Sequence, residues 1–159
     1  RTEFARGDCD LILTTEITAG EGAETLAHRP LAWIGAPGGS VWRQKPLRVA
    51  SQQHCAFRPQ SLAALDRAGV AWETAVETDS DRTIEATVAA DLAVTTMIAG
   101  TEPAHLEQIP HGDALPDLPV QLINMYTATT QTAMVAELAD MMRRGFAGAG
   151  GVRAVESAA

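Results

Sequence analysis

Cys55-Ala56-Phe57-Arg58 stand directly before Pro59 and a run with helical spacing, and this corner carries the best chemistry in the sequence. Proline suits a helix's first turn, because it has no N–H to leave unpaired there. Unpaired amides and the helix dipole at such an end favour an anion. Arg58 adds a bidentate partner for a carboxylate, and Phe57 an apolar wall, so the corner suits a small organic acid. A second corner, Glu77-Thr78-Asp79-Ser80, offers the hydroxyls of Thr78 and Ser80, although Ser80 or Asp79 is also explained as a helix cap. The adjacent His54 and Cys55 suggest a nucleophile and its base, but neighbours in an extended segment point to opposite sides. His28, His54, His105 and His111 share no spacing, and the sequence has no P-loop, GxSxG or HExxH. No catalytic residue, cofactor or enzymatic activity is expected. Cys9 and Cys55 sit in no CxxC or Cys/His cluster, so no metal site is expected either.

The elements that must position these corners follow from apolar periodicity. A first helix stops at Gly7, and Cys9 to Thr15 reads as a buried strand. Pro30 to Ala36 is a second strand, closed by Pro37-Gly38-Gly39, and Leu47 to Ser51 a third. Pro59 to Ala68 is helical, with Leu62 and Leu65 on one stripe, and Gly69 ends it. Ala71 to Glu77 alternates as a half-buried strand. Asp79 or Ser80 caps a helix whose stripe is Ile84, Val88 and Leu92. Leu92 to Ile98 is a strand. Residues 102–119 are loop-rich around an extended Leu106 to Ile109, and Val120 to Tyr126 is a buried strand. Thr129 or Thr130 caps a last helix with the stripe Met134, Leu138, Met141 and Met142. A flexible tail is expected from Ala147. The class is α/β with a mixed sheet flanked by helices.

Composition narrows the partners. Of the 159 residues, 46% are hydrophobic and 20% charged, enough for a packed core. The net charge of −8 opposes binding to a polyanion, so the chain by itself is expected not to bind duplex DNA. No apolar run approaches the ~20 residues a membrane span needs, so no membrane partner is expected.

The order of motifs resembles the effector-binding domain of LysR-type transcriptional regulators. The stretches that carry it are Phe4-Ala-Arg-Gly-Asp-Cys-Asp-Leu-Ile-Leu, Arg29-Pro-Leu-Ala-Trp-Ile-Gly-Ala-Pro, Cys55-Ala-Phe-Arg58, Ala89-Ala-Asp-Leu-Ala-Val-Thr and Leu115-Pro-Asp-Leu-Pro-Val. The resemblance implies a periplasmic-binding-protein type 2-like fold, two lobes joined by crossover strands, with the first lobe incomplete here. Residues 1–15 would belong to lobe I, 16–96 to lobe II, and 97–146 would return to lobe I before a tail over 147–159. It further implies a cytoplasmic bacterial regulator that binds a small-molecule effector in the inter-lobe cleft and reaches DNA only through an absent amino-terminal helix-turn-helix. A solute-binding protein of a transporter, with the same fold, is the competing reading. Thr14 and Thr15 would end one crossover strand at the cleft, as would Thr95 and Thr96 on the return, with Thr14, Thr15 and Thr96 joining Cys55, Phe57, Arg58, Thr78 and Ser80 as effector contacts. Leu62, Ala64, Leu65 and Ala68 would build a homo-oligomer interface. Asp91, Ala93 and Ile98 stand where the family often has glycine, glycine and proline, and Asp tolerates left-handed backbone better than most residues.

Overall fold

In a computed structural model, which describes residues 1–130 and 132–148, strands and helices alternate much as the apolar spacing predicts. α1 (Thr2–Arg6) ends at Gly7, whose φ of 78° suits glycine. β1 (Leu11–Glu16) and a long β2 (Glu24–Gly35) follow, then β3 (Leu47–Ser51), α2 (Arg58–Arg67) and β4 (Trp72–Glu77). α3 (Asp81–Ala89), β5 (Thr95–Ile98), the two-residue β6 (Glu107–Gln108), β7 (Val120–Thr127) and α4 (Ala133–Gly148) complete the order. The chain divides into two compact units: a central one, Pro30–Pro119, and a terminal one, Arg1–Arg29 with Val120 onward.

In the central unit the second half of β2 pairs antiparallel with β5, from Leu31 opposite Ile98 to Ile34 opposite Thr95, and β6 pairs with Ile34 and Gly35. β3 and β4 are parallel and joined through α2, the connection that parallel pairing needs. Successive strand residues face opposite ways, and the two apolar clusters follow that rule. Trp33, Leu47 and Val49 join Leu65 of α2, whereas Ile34 and Ala50 join Ile84 and Val88 of α3. Trp33 also donates from Nε1 to Pro116 O at 2.9 Å, so its one polar atom is satisfied.

Ser80, and not Asp79, caps α3: its Oγ accepts from Thr83 N at 3.3 Å. The helix ends at Ala89, so Leu92 does not continue its stripe and is 50% exposed. Asp91 makes the turn with φ 53°, the left-handed angle expected to be tolerable for Asp. Its carboxylate accepts from the amides of Ser40 and Val41, which ties this turn to the 3-10 turn Val41–Arg43. Burial alone would raise the Asp91 pKa, but these donors outweigh it and hold the carboxyl below its usual range. Gly39 must stay small, since a Cβ there would lie 2.5 Å from Asp91 Oδ1.

In the terminal unit β1 pairs antiparallel with β7, from Leu11 opposite Thr127 to Glu16 opposite Leu122. The expected stripe of α4 is corrected. Met134 is 77% exposed, and Leu138 and Met141 are exposed too, while Val135 and Ala139 are buried and Met142 is half-buried. Two stripes of helical spacing compete in this segment, and the compact Val135 and Ala139 allow the closer approach. The cap is Thr132, whose Oγ1 accepts from Val135 N, in place of Thr129 or Thr130. The helix runs to Gly148, past the expected end at Ala147; the rest of the expected tail lies outside the described residues.

Candidate functional site

The carboxyl end of β3, the first turns of α3 and strand β5 frame a cleft of about 210 Å³ in the central unit. Ligands of open α/β sheets sit at such strand ends. Cys55, Phe57 and Thr96, singled out in the sequence, line it. So does Thr95, expected there beside Thr96, and so do Ser51, Gln52, Asp81, Glu85 and Met97, which sequence reasoning did not assign to a site. Their signal was positional: Ser51 is the last residue of β3, and Asp81 the first of α3.

The hydroxyl-bearing Ser51 and Thr95 are only 8% and 5% exposed as whole residues, and both line the cleft. Phe57, Ile84, Met97 and Ile98 supply an apolar lining around them.

The other expected contacts are placed elsewhere. Arg58 pairs with Glu77 Oε2 at 2.7 Å and is not part of the cleft lining. Its amide donates to Cys55 O, and Pro59 has none, so the anion-holding end expected of α2 loses two donors and its cation. Thr78 Oγ1 accepts from Ser80 N, and Ser80 Oγ serves as the α3 cap, so both hydroxyls do local work. Thr14 and Thr15 belong to the terminal unit, on β1 opposite Asn124 and Ile123. Of the expected interface residues, Ala64 and Leu65 are 2% and 0% exposed and Leu62 packs against the same cluster, so this side of α2 faces its own core; Ala68 is exposed.

The cleft is acidic. Asp81 accepts a hydrogen bond from Gln52 Nε2, and Glu85 lies 3.6 Å from His105 Nε2. No Lys or Arg lines it. Among the described residues no group of three or more His, Cys, Asp or Glu could hold a metal ion, and Cys9 and Cys55 are both free thiols. No helix among the described residues is long and apolar enough to cross a membrane.

Solved structures similar to this chain include regulatory domains. The bromide-bound regulatory domain of HypT from Salmonella typhimurium superposes with a TM-score of 0.70 at 14% identity, covering 92% of this chain and 77% of that one. The regulatory domain of Synechocystis CcmR, solved with 2-PG, gives 0.67 at 13% identity over 91% of this chain and 77% of that one. Vibrio fischeri DarR, a LysR-family activator solved with DNA, gives 0.68 at 11% identity over 89% of this chain and 53% of that one. The fold is that of a LysR-type regulatory domain. It is the periplasmic-binding-protein type 2-like α/β architecture expected from the order of motifs. The chain spans about half of a full-length LysR-type regulator such as DarR and about three quarters of the isolated regulatory domains. No protein-family model and no curated protein sequence matches it.

Proposed function

We propose that the chain is the effector-sensing part of a bacterial LysR-type transcriptional regulator, cytoplasmic and without enzymatic activity. The central unit holds a small molecule in the β3–α3–β5 cleft, and the terminal unit belongs to the other lobe. DNA contact is made by a helix-turn-helix outside this chain, in keeping with the net charge of −8. A bound effector shifts the population between two arrangements by its differential affinity for them. The observation that carries this reading is the LysR-type fold combined with a cleft at the strand ends that hydroxyl-bearing and apolar side chains line together. Self-association belongs to the same reading, through the exposed Ala63, Arg67 and Ala68 side of α2. Sedimentation as a strict monomer at high concentration removes that part.

The test is a thermal-shift screen of a metabolite library on the chain, repeated on Thr95→Val. A bound effector raises the melting temperature in proportion to RT ln(1 + [L]/Kd). The expected result is at least one stabilising compound whose shift is lost or strongly reduced in the variant. Compounds that stabilise both proteins equally overturn the cleft assignment, and micromolar binding of duplex DNA by the chain alone overturns the division of labour.

A further inference from the structure

We infer that α4 carries a self-association surface of its own, on which a second copy of this chain lays its α4 antiparallel about a two-fold axis. This goes beyond the effector-sensing reading and uses a face separate from the α2 side named there. Two sides of α4 do different work. Arg143 donates from Nε and Nη2 to the two carboxylate oxygens of Glu24, each at 2.7 Å, and also pairs with Asp140. These contacts hold the helix with Val135 and Ala139 turned inward and leave Met134, Leu138 and Met141 exposed. Their spacing of four and three, with Gly145 four residues further on, is the alternation of a coiled-coil seam. Exposed apolar side chains set in a row and rimmed by charge mark an interaction surface.

The charges beside the stripe select the occupant. Glu137 and Arg144 are both exposed and lie along one edge of the stripe, two helical turns apart. About 10 Å of helix separates them, beyond the reach of an i,i+4 pair, so they cannot neutralise each other. Asp140 and Arg143 are spent on one another and on Glu24, whereas Glu137 and Arg144 have no ion-pair partner among the described residues. A second α4 running the opposite way brings its Arg144 to Glu137 and its Glu137 to Arg144. One self-complementary patch then supplies two ion pairs, as a two-fold axis requires. The same register sets Leu138 against the second copy's Met141, and Met134 against the second copy's Gly145. A Cβ at Gly145 would meet nothing within 4 Å, so that position has room for the long methionine. α4 has only 16 residues, which makes this a small interface and a weak, concentration-dependent dimer.

Analytical ultracentrifugation of the 159-residue chain decides it, with Ala68→Glu in every sample to silence the α2 side. The expected result is a concentration-dependent dimer that Leu138→Glu reduces to monomer. Glu137→Arg sets arginine against arginine across the axis, and Arg144→Glu sets glutamate against glutamate. Each should weaken the dimer about fivefold or more, because the axis counts every change twice. The double swap Glu137→Arg/Arg144→Glu rebuilds both pairs and should recover the parent affinity. An equal mixture of the two single variants should associate better than either alone. A chain that stays monomeric at its highest soluble concentration overturns the proposal. So does a dimer indifferent to Leu138→Glu, or one that the double swap fails to restore. Association that appears only once residues 149–159 are removed assigns this face to the chain's own tail and overturns it as well.

Discussion

The central and terminal units reach order by different means. In the central unit two apolar clusters pack on opposite sides of the strands, anchored by Trp33 and Leu65 on one side and Ile34 and Val88 on the other. The terminal unit buries fewer apolar side chains, chiefly Met125, Tyr126, Ile123, Val135 and Ala139, and centres on polar groups. There Glu16 accepts from Arg1, Asn124 and Tyr126, and Thr25 donates to Asn124 Oδ1. Burial alone would raise the Glu16 pKa, but the Tyr126 and Asn124 hydrogen bonds and the Arg1 charge outweigh it and hold the carboxyl low. Gln121 and Asn124 are fully buried, whereas Leu13, Ile17, Met134 and Met141 are exposed. A hydrophobic core contributes in proportion to the area it removes from water, while a hydrogen bond contributes only its surplus over water. The central unit should therefore be the more stable of the two.

The sharpest test of that ranking removes a central anchor. Leu65 is fully buried beside Trp33 and Leu47, and Leu65→Ala leaves a cavity the surrounding sheet cannot fill. The expected loss is about 2–5 kcal/mol in urea unfolding, the range for buried Leu→Ala changes. A loss below about 1 kcal/mol would mean that the cluster is loosely packed and the comparison has no energetic basis.

A smaller effect is expected from a strongly polar joint of the central unit. Asp91→Ala removes a carboxylate that accepts from the Ser40 and Val41 amides, and it places alanine at a φ of 53°. The expected loss is about 2 kcal/mol at pH 7, the scale of hydrogen bonds to a charged group. The sign with pH follows from the lowered pKa. This stability is fully present above the ordinary carboxyl value and is lost as pH falls through the lower, folded one. Wild type and variant should thus converge in acid. A difference that persists undiminished below that pKa would assign the effect to backbone strain instead of charge.

The same contrast explains what could be foreseen from residue types. The limits of β3, the end of β4 and the cores of α2 and α3 were legible from apolar spacing, helped in the two helices by a proline or serine at the start. The first half of β2 was not, because Glu24-Thr-Leu-Ala-His-Arg29 mixes charge into a strand with no buried residue before Leu31. The cleft was half legible. Cys55, Phe57 and Thr96 stood out by type, but Ser51 and Asp81 reach it only through the placement of β3 beside α3, which no local pattern encodes. Arg58 was misleading for a related reason, since its partner Glu77 is 19 positions away on β4 and only the fold brings the two together.

The smallest effect belongs to the terminal unit and tests whether its exposed apolar side chains matter to folding. Met134 is 77% exposed on α4, one residue from the buried Val135. Met134→Gln keeps helix propensity nearly unchanged and removes no buried area, so the expected change is within about 0.5 kcal/mol. Solubility at high concentration should improve, because the change interrupts an apolar stripe that continues through Leu138 and Met141. A loss above about 1 kcal/mol would show that this face is covered in solution. Sedimentation at the same concentration separates the causes: a concentration-dependent loss comes from self-association, and a concentration-independent one from packing within the chain.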